Sequence, residues 1–144
     1  MADESNEAAE VRLAGWLRGL LRCEAVVLFS AAAAVVLPSS WMAAIHAWLG
    51  MGELPQVPLV EYLTRSVSAL YALCGAVFWY LSKDVRRYAD LIRFLAWLKL
   101  ISGLSRIVLD AAVGLPLFWM VGEGPVVVGL SLATLYCLRR LGAR

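Results

Sequence analysis

Three carboxylates and two guanidiniums interrupt stretches that are otherwise apolar: Glu61, Arg65, Arg106, Asp110 and Glu123. In hydrocarbon each charge costs roughly 2.5 to 3.5 kcal/mol by insertion scales, so such residues persist where a partner or water neutralises them and are functional-site candidates by default. Glu61 and Arg65 are four apart and share a helical face, which Ser68, Ala72 and Gly75 continue. Lys99, Ser102, Gly103, Arg106 and Asp110 recur at steps of three and four, with Leu98, Ile101, Leu104 and Val108 on the opposite side. Glu123 sits between Gly122, Gly124 and Pro125, which weaken helical hydrogen bonding, so a kinked or unwound backbone is expected there. A guanidinium that takes a carboxylate through two parallel hydrogen bonds fixes the register of two helices, and this is the plainest use of the set. The same groups, open to the outer surface, would hold a lipid headgroup, a quinone or a small anion on Arg65 and Arg106 while Glu61, Asp110 or Glu123 exchanged a proton. A proton or ion path is the third use.

The elements that position these groups follow from composition. Of 144 residues, 62% are apolar, and the mean hydropathy is +0.75, far above soluble domains. An all-α membrane protein is expected: a single four-helix bundle over 1–144 with a polar tail at 1–10 and spans at about 17–37, 59–81, 91–113 and 116–138. Between the first two spans, Trp41, Met42, Ile45, Trp48 and Leu49 recur at helical spacing after Ser39 and Ser40. That stretch is too short to span and reads as one short interfacial helix, at the depth tryptophan prefers.

Basic residues set the orientation. Arg12 precedes the first span and Arg18 and Arg22 lie in its first turns, within snorkelling reach of the interface; Lys83, Arg86, Arg87 and Arg93 surround the connection between the second and third, and Arg139, Arg140 and Arg144 close the chain. The opposite connections carry no Lys or Arg, so both termini belong in the cytoplasm of a bacterial inner membrane. Glu61, Arg65, Arg106, Asp110 and Glu123 then share the outer half of the bilayer, with Lys99 deeper. Residues 1–10 lack the basic start and cleavage site of a secretory signal, so the first span is expected to be retained.

Other residues point to less. His46, the single histidine, could ligate a chlorin or haem, yet an interfacial, hydrogen-bonded histidine is the simpler role. Cys23, Cys74 and Cys137 are widely spaced and read as buried free thiols. Glu24 is expected to pair locally with a basic neighbour near the cytoplasmic boundary. No metal site is expected, and no cofactor beyond a bound lipid or quinone. The net charge of +2 is not gathered into a basic face, which sets nucleic acid aside.

The run P-L-V-E-Y-L-T-R-S-x-S-A-L-Y-A-L from Pro58, D-V-R-R-Y-A-D-L-I-R from Asp84, D-x-x-x-G-L-P-L-F-W from Asp110 and G-E-G-P from Gly122 resemble small uncharacterised bacterial four-helix membrane proteins. In size and topology the chain is also similar to the DoxX group, some of whose members are subunits of membrane oxidoreductases. The resemblance implies a four-helix architecture. The leading functional expectation is a noncatalytic integral subunit or stabilising module of a larger membrane complex, whose partners are the bilayer and other membrane subunits or itself. A small-molecule, lipid or quinone binding protein or enzyme is the alternative, and a small transporter the third.

Overall fold

The computed structural model describes residues 2–142, with side chains from Glu7 onward. Arg144, counted above among the cytoplasmic basic residues, lies outside that range. The described residues are helical and contain no strand. Seven helices follow in order: α1 (Ala2–Ser30), α2 (Ala32–Val36), α3 (Ser39–Trp48), α4 (Pro58–Leu81), α5 (Ala89–Val113), α6 (Leu117–Gly122) and α7 (Gly124–Gly142). From Ala2 the polar N-terminal segment is the start of α1, a helical conformation that its Glu and Ala content favours.

Helix boundaries follow local chemistry. Ser30 turns its hydroxyl back onto the Val27 carbonyl at 2.6 Å, and the helix breaks at the next residue. Pro38 prevents α2 from continuing, and Pro58 opens α4 at a position where its missing N–H is not needed. Gly114, at φ 75°, ends α5 in the left-handed conformation, its N–H and that of Leu115 both returning to the Asp110 carbonyl at 3.0 and 3.1 Å. The anticipated interruption at Gly122–Pro125 is present as a single non-helical residue, Glu123, between α6 and α7. The stretches expected to form the interfacial helix and the second and third spans coincide in the chain with α3, α4 and α5.

Two stretches, Glu7–Val36 and Leu117–Gly142, are long and apolar enough to cross a membrane. Their most apolar windows are only 17% and 22% buried, unlike the core helix of a soluble protein. α4 and α5 have 24 and 25 residues, a sufficient length, but carry the ionisable residues that dilute their apolar character.

The chain divides into two compact units, one comprising the residues up to Arg22 with those from Leu81 on, the other Cys23–Tyr80. In the first, α5 packs antiparallel along α7: Gly103 meets Gly124 toward one end, and the Arg93 guanidinium lies beside Gly142 at the other. The buried stripe of α7 is Gly124, Ser131, Thr134 and Leu138, and that of α5 is Ile92, Ala96, Gly103 and Asp110. Ser131 and Thr134 satisfy their hydroxyls on carbonyls of their own helix, at 2.7 and 2.9 Å. Large apolar residues face outward instead, among them Phe94, Ile101, Leu104, Val108 and Leu132. Small and polar residues thus share the interior with Ile92 and Leu138 while bulky apolar residues line the outside, a distribution that lipid allows.

The Gly103–Gly124 crossing is close on both sides. A Cβ on Gly124 would lie 2.5 Å from Cγ1 of Ile107 and 3.1 Å from the Gly103 carbonyl oxygen, and one on Gly103 would lie 3.2 Å from the Gly124 carbonyl oxygen. Backbone atoms cannot rotate aside as a side chain can. Gly124→Ala is therefore expected to cost about 1 to 3 kcal/mol, read as earlier unfolding of the detergent-solubilised protein, whereas Gly129→Ala, with open space around its α-carbon, leaves the transition where it was. Equal transitions for the two variants would contradict this packing.

In the Cys23–Tyr80 unit, α4 crosses α1 through Gly75, where an added Cβ would lie 2.9 Å from the Ala25 carbonyl oxygen and 3.1 Å from the Phe29 nitrogen. The small face of Ser68, Ala72 and Gly75 is thus the inward one, and Leu70, Leu73 and Val77 point out. The cysteines are free, but the expectation that they are buried is corrected: Cys23 and Cys74 are exposed and Cys137 is half-buried. A thiol is small and apolar enough to occupy an outward face in a surface already rich in Val and Leu.

Candidate functional site

The five ionisable residues fall into two groups, Glu61 and Arg65 in the Cys23–Tyr80 unit and Arg106, Asp110 and Glu123 in the other. Each group is built by a different local device.

Arg65 lies one turn after Glu61 on α4, and its Nε and Nη2 both donate to Oε1 of that carboxylate, at 3.1 and 2.9 Å. The rest of the guanidinium reaches the end of the preceding helix. Nη1 donates to the carbonyl of Val35 and Nη2 to that of Leu37 at 3.1 Å. These are carbonyls at the C-terminus of α2, where Pro38 ends the helix and a cation is favoured by the helix dipole. Glu61 Oε1 also accepts from the hydroxyl of Ser39 at 2.8 Å, at the start of α3. One Arg–Glu pair therefore joins the end of α2, the beginning of α3 and the beginning of α4. Sequence reasoning took Ser39 as a helix start alone, and the α2 carbonyls carry no residue signature. The available clue was geometric: a proline-terminated helix end needs donors, and the long basic side chain nearest along the next span is Arg65.

In the other unit, Arg106 Nη1 forms an ion pair with Oε1 of Glu123, both side chains 29% exposed. The glycine crossing positions them. Arg106 is three residues beyond Gly103 on α5, and Glu123 immediately precedes Gly124, so close backbone approach brings the guanidinium within reach of the residue between α6 and α7. Glu123 is not wasted in a helix interior; its backbone φ of −96° and ψ of −73° place it at the break.

Asp110, in the last turn of α5, is 5% exposed, and its Oδ2 has no hydrogen-bond partner among the described residues. Lys99 is half-buried on α5. His46 holds its Nδ1 at 3.0 Å from the Gly52 carbonyl, which ties the last turn of α3 to the loop that follows. Glu24 is buried, at 7% exposure. No group of three His, Cys, Asp or Glu residues suited to a metal ion occurs among the described residues.

A cavity of about 180 Å³ opens beside Glu61. It is lined by Ser39 and Met42 of α3, by the Leu54–Val57 segment, and by Val60, Glu61 and Thr64 of α4. The connection between α3 and α4 thus forms one wall of a recess.

On the opposite flank of the sequence, the Ser82–Tyr88 connection is held by its own charges. Arg86 pairs with Glu10 at 3.1 Å, and the Asp84 carboxylate accepts from the Arg87 backbone N–H at 3.1 Å. Arg87 lies over the Tyr88 ring, 5.6 Å from its centre. A family-model scan, curated proteins and solved structures provide no match to this chain.

Proposed function

We propose that the chain is a noncatalytic integral module of the bacterial cytoplasmic membrane that stabilises a larger membrane assembly, arranged as four spans with both termini in the cytoplasm. The observation that carries this reading is the use of the two arginines. Arg65 is engaged by Glu61 and two backbone carbonyls, and Arg106 by Glu123, so both serve the protein's own helices. A guanidinium occupied in this way positions elements and does not activate a substrate. The broad outward apolar surface, including Trp16, Val27, Leu59, Tyr62 and Leu73, supplies faces for lipid and for neighbouring membrane helices. The basic residues of the N-terminal region, of Lys83 to Arg93 and of Arg139 and Arg140 support the orientation by the positive-inside rule.

Mild-detergent extraction of native membranes, followed by native gels and mass spectrometry, tests the reading. The expected result is a discrete assembly containing the chain with other membrane subunits or further copies of itself, and a C-terminal tag that is digested only when the cytoplasmic side is open to protease. A solitary monomer under every mild condition, or a tag digested from the outer side, contradicts it.

A further inference from the structure

The cavity beside Glu61 has a lining that selects among ligands. No lysine or arginine lines it among the described residues, and the nearest guanidinium, Arg65, is committed to Glu61 and to the α2 carbonyls. An anion has no counter-charge there. The side-chain hydrogen-bonding capacity that remains is mainly of acceptor type. All described hydrogen bonds to the Glu61 carboxylate end on Oε1, leaving Oε2 with the lone pairs of an ionised oxygen. Gln56 spends one N–H of its amide on the Leu54 carbonyl at 3.0 Å, which leaves its carbonyl oxygen and second N–H available. Thr64 spends its hydroxyl proton on the Val60 carbonyl at 2.8 Å. The remaining walls are Met42, Leu54, Pro55, Val57, Pro58 and Val60, which suit methylene groups. The volume of about 180 Å³ is below the roughly 300 to 1,000 Å³ of sites for drug-sized molecules. It admits a headgroup and a few carbons. Trp41 and Trp48 of α3, the helix that supplies Ser39 and Met42 to the lining, are exposed, and tryptophan favours headgroup depth.

We propose that the Glu61 cavity binds a protonated primary amine on a short carbon stem, with Glu61 Oε2 and Gln56 Oε1 as its acceptors. The ammonium would complete an Arg65, Glu61, ammonium row in which one carboxylate serves two cations on its two oxygens. The amine could be carried by a lipid headgroup or by a small soluble molecule, and these sources are separable. The lipid source rests on the membrane placement proposed above, whereas amine binding itself does not.

Native mass spectrometry of the purified full chain, loaded with mixed phosphatidylethanolamine and phosphatidylcholine, reads the selectivity directly, because the quaternary headgroup has no N–H to donate. Preferential retention of phosphatidylethanolamine is expected. Glu61→Gln weakens it about tenfold, through loss of a charge-assisted hydrogen bond. Because that variant also touches the Arg65 network, exposed Gln56 provides the independent arm: Gln56→Glu strengthens retention and Gln56→Lys weakens it, each about fivefold. Displacement by ethylammonium identifies a general amine site, and resistance to it a lipid headgroup site; both support the proposal. Equal retention of the two lipids with no ethylammonium binding, or an unchanged preference in Gln56→Lys, overturns it. A monomer that binds the amine would uphold the cavity while contradicting the assembly reading.

Discussion

Arg65→Met is expected to destabilise the Cys23–Tyr80 unit by about 1 to 3 kcal/mol, because the substitution removes the charged donor to two helix-end carbonyls. The Val35 and Leu37 carbonyls lose their donors at a helix end that Pro38 cannot continue, and Glu61 loses the cation beside it. The side chain keeps 29% exposure, so water replaces part of what is lost, and the expectation sits below that for a fully enclosed pair. Arg65→Lys is the informative companion. Lysine retains the charge but presents one ammonium in place of a planar fork, and it cannot serve Glu61 and two carbonyls with the same geometry. It should recover less than half of the loss. The measurement is denaturant or thermal unfolding in detergent, with protease protection of the Leu49–Val57 connection as a local readout. A lysine variant as stable as the native protein would show that charge alone matters and that the helix-end hydrogen bonds do not.

The sequence carried the elements because their signals are local. Pro38, Pro58, Gly114 and Pro116 each mark a boundary found in the structure, and the Gly122–Pro125 cluster marks the break at Glu123. The small face of α4 and the polar stripe of α5 follow from helical periodicity, which needs no tertiary knowledge. Partner choice was less legible. Glu61 and Arg65 pair within one helix, four residues apart, and that spacing is visible in the sequence. Arg106 is equally spaced from Asp110, yet its partner is Glu123, because the Gly103–Gly124 crossing brings a different element within reach. A four-residue interval offers a contact; the crossing decides whether it is used. The cavity was the least legible feature, since its walls come from α3, a loop and α4, and the loop residue that matters, Gln56, has no sequence pattern of its own. Burial of Glu24 belongs to the same class. It depends on which side of α1 faces its neighbours, and α1 is apolar over most of its circumference from Cys23 on.

The Arg106–Glu123 pair gives the second large effect and separates a structural charge from a functional one. Arg106→Met leaves Glu123 as an unpaired carboxylate at the α6–α7 break and is expected to cost about 2 to 4 kcal/mol, with Glu123→Met costing a similar amount for the converse reason. The double variant Arg106→Met/Glu123→Met should return to within about 1 kcal/mol of the native protein, since two apolar side chains of similar length fill the same space without a desolvation penalty. In a double-mutant cycle the single losses will therefore greatly exceed the double loss, giving a coupling of about 2 kcal/mol or more. Unfolding in detergent and assembly in native membranes should recover together, because a pair that only fixes α5 against α7 has no further task once the helices are held. If the double variant is stable but its native assembly is lost, the charges themselves contact a partner. If instead the single losses simply add, Arg106 and Glu123 do not stabilise one another, and the glycine crossing alone sets the register of α5 on α7.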